Sequence, residues 1–175
     1  KIVFSVYASS VLMQLFKKQR DAVGLSTYSA EIENHIIAKT SSRHHQLIYN
    51  EFEKILSIDA KLSERKSATI SSLHEIAERI NQRSLVILFT DLISDNNLKD
   101  IFDAFRHLKH KKNEVILFHL SDVSKEQKLE FENKPYNFID VESGENIKIN
   151  PSHYKKNYVE KVDSYLNKMR LKCLQ

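Results

Sequence analysis

The stretch "LVILFTD", residues 85–91, decides the fold class of this chain. Leu85 to Phe89 form an unbroken apolar run, without the alternation expected of a strand that has one face in water. Thr90 and Asp91 follow directly, and the chain then becomes polar. The run predicts a parallel strand covered on both faces, with Thr90 and Asp91 at its carboxyl end.

The segments on either side extend this prediction. A helix is predicted over 68–82, before the strand at 84–90, and another over 97–111, after it. A second nearly all-apolar strand follows at 114–122. Helices therefore alternate along the chain with strands that are apolar throughout. This order predicts an α/β fold with three α/β/α layers and a doubly wound, mainly parallel sheet.

The remaining periodic segments complete a single domain over residues 1–175. A helix is predicted over 2–19. Its stripe at helical spacing, expected to face the interior, is Val3, Val6, Tyr7, Ser10 and Met13, which Lys17 can extend, and the small residues Ala8, Ser9 and Ser10 allow close approach to a sheet. A strand at 21–29 can pair with 32–39 as a hairpin, and a helix over 42–58 follows. A hairpin around Gly144 and a closing helix over 152–174 make up a C-terminal part, 138–174.

Composition limits the class of protein. Of the 175 residues, 41% are hydrophobic and 29% are charged, which is typical of a globular domain. No apolar run approaches the roughly 20 residues of a membrane span, and no secretory signal is visible. The single cysteine, Cys173, excludes an internal disulfide and fits a reducing compartment, so a cytoplasmic location is expected.

Charge and glycine content exclude several functions. The net charge is +4, and the densest basic cluster, "HLKHKKN" at 107–113, has no aromatic residue on which a nucleic-acid base could stack. We therefore expect a helix C-terminus there and no nucleic-acid partner. The only glycines, Gly24 and Gly144, cannot build a P-loop or a dinucleotide-binding loop, and no nucleophile elbow occurs.

Asp91 and Asp122 both follow predicted parallel strands, at the edge where open sheets bind ligands. Asp91 can cap the following segment, or it can bind Mg²⁺ together with hydroxyl and water oxygens. The corresponding enzyme alternative is a Mg²⁺-dependent phosphotransfer or phosphohydrolase domain that uses both carboxylates.

The histidines suggest no metalloenzyme by their spacing. The segment "LHEIAE", 73–78, lacks the second histidine of a zincin motif and is expected to be a solvated helix face. His107 and His110 could share a metal on one helix, but no third ligand is evident. His119 lies within an apolar strand and is expected to be a satisfied histidine, either in the core or at the sheet end.

Three motifs occur in an order that resembles the von Willebrand factor A-like domain. They are "DAVGLSTY" at 21–28, the helix start at Thr69 followed by "ISSL", and the apolar strand that ends in Thr90 and Asp91. The stretches "LHEIAERINQRSLVILFTD" at 73–91 and "KPYNFIDVESGENIKINP" at 134–151 are similar to an uncharacterised bacterial family of such domains, associated with MoxR-type AAA+ ATPases.

This resemblance implies a non-catalytic protein-interaction domain whose partner is a MoxR-type ATPase. It also implies a metal-ion-dependent adhesion site with Mg²⁺ as cofactor, of which Thr69 and Asp91 match two elements. The remaining element, D-x-S-x-S on the first strand, occurs nowhere in the 175 residues. The resemblance therefore implies an incomplete site, and a first strand that would lie between 21–29 and 84–90 and is missing from this chain.

Overall fold

The computed structural model describes residues 1–29, 31–57, 69–91, 98–140 and 144–174. It divides into two compact units. Unit 1 comprises Lys1–Phe89 and Asp103–Phe118, and unit 2 comprises Thr90–Phe102 and His119–Gln175. The prediction of a single domain stays a prediction.

Unit 1 contains most of the regular structure, and its elements agree closely with the predicted segments. In chain order they are α1 (Ile2–Gln19), β1 (Val23–Tyr28), β2 (Ile32–Lys39), α2 (Ser42–Ser57), α3 (Thr69–Arg79), β3 (Leu85–Thr90), α4 (Leu98–His110) and β4 (Glu114–His119). The last residue of β3, the first turn of α4 (98–102) and the last residue of β4 belong to unit 2. The chain is therefore mixed α/β, as predicted.

The core between α1 and α2 is smaller than the sequence suggests. Val6 and Met13 of α1 are buried with Ile48 and Phe52 of α2. The prediction that Val3 and Tyr7 also face the interior is wrong, because both side chains are more than half exposed. Helical periodicity identifies apolar positions, but α1 is apolar on nearly every side, so only its neighbours decide which side is buried.

The described strands form three separate pairs, β1 with β2, β3 with β4, and β5 (Tyr136–Ile139) with β6 (Asn146–Ile149). The first and third pairs are antiparallel. Beside the second pair, the Glu114 N–H donates to the Ser84 carbonyl at 3.0 Å, and the Leu120 N–H donates to the Thr90 carbonyl at 2.8 Å. Because donor and acceptor both advance along the chain, β3 and β4 are parallel.

The predicted coverage of these parallel strands on both faces is wrong for β4. Burial alternates along β4, and the side chains of Ile116 and Phe118 are 45% and 40% exposed. On the other face Val115 and Leu117 are half-buried, and in the neighbouring strand β3 Leu88 is buried. The apolar sequence of β4 therefore leaves one of its faces largely uncovered.

Unit 2 contains a π-helical turn (Val123–Gln127), the β5–β6 hairpin and the helix α5 (Pro151–Cys173). The Asn150 side chain caps α5 by accepting from the Ser152 N–H at 3.2 Å, and Pro151 occupies the first helical position. The Tyr158 hydroxyl donates to the Glu126 carbonyl at 2.7 Å and ties α5 to the π-helical turn. Among the described helices, none combines the length and the apolar content required to cross a bilayer.

A titratable side chain, that of His45, is buried in unit 1 without a hydrogen-bond partner among the described residues. His45 on α2 is 2% exposed, and neither ring nitrogen has a hydrogen-bond partner among the described residues. Its neighbour His44 is also buried, but His44 Nε2 donates to the Val23 carbonyl at 2.8 Å. Burial, followed by the charges of Lys17 and His44, holds the pKa of His45 below its ordinary value of 6.5.

We expect His45→Leu to raise the free energy of unfolding by about 1 kcal/mol at neutral pH, because it removes a buried polar group that forms no hydrogen bond. The unfolded chain binds a proton at His45 more readily than the folded chain, so the wild type loses stability as pH falls below 6.5. Urea unfolding between pH 7.5 and about 5 should show that the free energy of unfolding falls less with pH in the variant than in the wild type.

His153→Leu is the matched control, because His153 is exposed on α5. We expect its pH profile to follow that of the wild type. If the free energy of unfolding falls equally with pH in His45→Leu and the wild type, His45 is not the cause of the loss of stability in acid.

Candidate functional site

The carboxyl end of β3 is the first place to look for the predicted metal site. Asp91 follows the strand directly and is exposed, so its carboxylate is not desolvated as a buried strand end would require. Its backbone carbonyl accepts a hydrogen bond from His119 Nε2 at 2.7 Å. His119 is thus satisfied at the end of its strand, as predicted.

Asp122, the second carboxylate of the enzyme alternative, caps a turn. Its Oδ1 accepts from the Ser124 N–H, the Ser124 hydroxyl and the Lys125 N–H, each at 2.9 Å. The Lys125 backbone hydrogen bond, followed by the Ser124 hydroxyl, holds the pKa of Asp122 below its usual range. This carboxylate is therefore engaged in local structure, which accounts for its position without a metal.

Thr69 is the first residue of α3 in unit 1, whereas Asp91 belongs to unit 2. The side chain of Thr69 lies outside the described part of the structure, so its predicted proximity to Asp91 stays a prediction. Within the described ranges, no three histidine, cysteine, aspartate or glutamate residues are grouped so that they could hold a metal ion. The Mg²⁺ site that the resemblance implies therefore stays a prediction.

A candidate interaction surface is an apolar face on α1. It consists of Val3, Phe4, Tyr7, Val11 and Leu15, whose side chains are between 49% and 70% exposed; Ile2, also exposed, lies on the side of the helix that carries Val6 and Met13. Between Lys1 and Lys17 the helix carries no charged residue. A helix that is apolar all round is normally buried, and contiguous exposed apolar patches on soluble domains mark interaction sites.

Unit 1 also has strand edges that no described strand covers. Among the described residues, β1 pairs only with β2, and β3 pairs only with β4. Each pair therefore has a strand edge on which no other described strand lies. Unpaired edges readily accept an added strand, because their N–H and C=O groups are already aligned in a row.

Sequence reasoning missed the apolar face because it assigned Val3 and Tyr7 to the interior. The signal was nevertheless present, since α1 has apolar residues on nearly every side and can bury only some of them against α2 and β1. An amphipathic surface helix would carry charged residues on its outer side.

Comparison with known proteins gives one match. A sequence model of the family described as protein of unknown function DUF58 matches residues 1–165. Neither the curated proteins nor the solved structures contain a match to this chain.

Proposed function

We propose that this chain, which belongs to the DUF58 family, is a non-catalytic protein-interaction domain that binds its partner through the apolar face of α1. The observation that carries the proposal is the exposure of the five large apolar side chains of this face, on a helix that has no charge between Lys1 and Lys17. Large apolar and aromatic side chains such as Phe4 and Tyr7 are the usual anchors of protein interfaces.

The fold that we propose is the von Willebrand A type, with three layers around a doubly wound sheet. In this arrangement an additional strand lies between β1 and β3 and joins the two pairs into one sheet. The support is that β1 and β3 belong to the same compact unit but have only β2 and β4 as described strand partners. Such a strand would also satisfy backbone groups along both edges.

The partner that we propose is a MoxR-type AAA+ ATPase, on the basis of the resemblance described above. The proposal includes an incomplete metal-ion-dependent adhesion site in which Thr69 and Asp91 are the two matching positions. The enzyme alternative is less well supported, because the Asp122 carboxylate caps the π-helical turn.

A binding experiment tests the surface and the partner together. The purified chain is titrated against a MoxR-type ATPase from the same genome, with affinity measured by calorimetry. We expect the triple variant Phe4→Ser, Tyr7→Ser, Val11→Ser to bind at least about 30-fold more weakly, since the loss of one interface hot spot costs about 2 kcal/mol. These three side chains are exposed, so circular dichroism should show an unchanged fold.

The matched control is the double variant Lys18→Ser, Gln19→Ser, which changes exposed polar residues of the same helix. It should bind like the wild type. If the wild-type chain fails to bind the ATPase, the proposed partner is wrong. If it binds and the triple variant binds equally well, the apolar face of α1 is not the interface.

A further inference from the structure

Two histidines from different helices meet in unit 1. His74 on α3 and His107 on α4 bring their Nδ1 atoms to 3.0 Å, with ring centroids 5.2 Å apart and ring planes tilted by 38°. Both side chains are partly exposed. Only one hydrogen fits between two nitrogens at this distance, so at least one Nδ1 presents its lone pair to the other ring.

Glu78 determines which nitrogen of His107 carries hydrogen. Glu78 Oε1 lies 2.8 Å from His107 Nε2, and Glu78 Oε2 accepts from Lys111 Nζ at 2.6 Å. The Glu78 carboxylate contacts Lys111 through one oxygen and faces the His107 ring through the other, and a carboxylate can only accept hydrogen bonds. His107 Nε2 is therefore the donor, and neutral His107 presents its Nδ1 lone pair towards His74.

We propose that His74 and His107 bind one divalent transition-metal ion through their Nδ1 atoms, with Glu78 as the positioning residue. Metal-binding histidines almost always donate their other ring N–H to a carboxylate or carbonyl group, which fixes the tautomer and the ring orientation. The His107–Glu78 contact has this arrangement, with Lys111 orienting the carboxylate in turn. His74 ligates after its proton moves to Nε2, which requires no net proton release.

The nitrogen separation selects the class of metal. With metal–nitrogen bonds of about 2.0–2.1 Å, an ion that bridges two nitrogens 3.0 Å apart subtends an angle of about 95°. This angle suits neighbouring positions of a square-planar or octahedral site and is smaller than the tetrahedral angle preferred by zinc. Cu²⁺ and Ni²⁺ are therefore the ions of choice, and water can fill the remaining positions because His107 is 31% exposed.

The test uses the purified chain titrated with Cu²⁺ and with Ni²⁺ by calorimetry, and electron paramagnetic resonance of the Cu²⁺ form. We expect one saturable site, with coupling to two equatorial nitrogens. His74→Ala and His107→Ala should each bind at least tenfold more weakly and lose one nitrogen coupling. His153→Ala, which changes an exposed histidine of α5, should bind like the wild type.

Glu78 has its own test. Glu78→Ala should weaken Cu²⁺ binding by about 10–100-fold while both nitrogen couplings remain, as expected for a residue that orients a ligand. Glu78→Gln keeps an oxygen acceptor for His107 Nε2 and should restore part of the affinity. Equal affinity in Glu78→Ala and the wild type would remove Glu78 from the site.

Either of two results would overturn the metal site itself. One is the absence of saturable Cu²⁺ and Ni²⁺ binding by the wild type, which would leave the pair as a histidine–histidine hydrogen bond. The other is unchanged binding in His74→Ala with an unchanged spectrum. Mg²⁺ is the reference ion, and it should give no signal at this site because it prefers oxygen ligands.

Discussion

Replacing Leu108 with alanine is expected to lower the free energy of unfolding by about 2–5 kcal/mol. Leu108 is 0% exposed, and the buried positions of α4 follow a spacing of three and four residues; they are Ile101, Ala104, Phe105 and Leu108. Removing three carbon atoms from this face loses their burial and leaves a cavity that the neighbouring side chains fill only in part.

Urea unfolding followed by circular dichroism measures this effect at neutral pH. Leu47→Ala is the matched control, because Leu47 also lies on a helix but is 52% exposed. We expect the control to change stability by less than about 1 kcal/mol, since little apolar area leaves water when Leu47 folds. Equal losses in the two variants would show that Leu108 does not belong to a packed core.

Replacing Gly24 with valine is expected to destabilise the chain by about 1–3 kcal/mol, although valine favours strands elsewhere. A Cβ atom at Gly24 would lie 2.7 Å from the Ile36 carbonyl oxygen and 3.0 Å from the Ala38 backbone nitrogen. Both are backbone atoms of β2, so the strand itself must move. Gly24 lies at the register shift between the pairs Val23–Lys39 and Leu25–Ile36, where the two strands approach closely.

Amide hydrogen exchange locates this second effect, because β2 should exchange faster in Gly24→Val while α5 in unit 2 keeps its protection. Gly144→Asn is the control for glycine replacement. Gly144 has a φ of +73°, which asparagine tolerates, and a Cβ there would meet nothing within 4 Å. A Gly24→Val variant as stable as the wild type would mean that β1 and β2 can separate without cost.

Local sequence patterns were sufficient to place most elements of secondary structure. The apolar run at 85–89 predicted β3, and the boundaries of α1, α2 and the closing helix agree with the structure to within a residue or two. The turn at Gly144 predicted the last hairpin, and the closing helix predicted over 152–174 corresponds to α5, which begins at Pro151. These signals depend only on near neighbours along the chain, through periodicity, turn chemistry and capping.

The π-helical turn at Val123–Gln127 was not predicted, and neither was the capping role of Asp122. From the sequence, Asp122 could be either a cap or a metal ligand, because both roles place a carboxylate after a strand. In the structure Asp122 is a cap, because its Oδ1 accepts three hydrogen bonds from Ser124 and Lys125, and their geometry depends on the backbone path after β4.

The sequence by itself determined the elements of this protein, whereas the tertiary structure decided which faces of those elements are covered and which distant residues meet. Periodicity marks α1 as apolar but cannot say that Val6 and Met13 are buried while Tyr7 is exposed. It also cannot bring His74 to His107, which lie on separate helices. The physical reason is that periodicity reports the residue's own helix or strand, while burial and pairing depend on the surface that a distant segment presents to it.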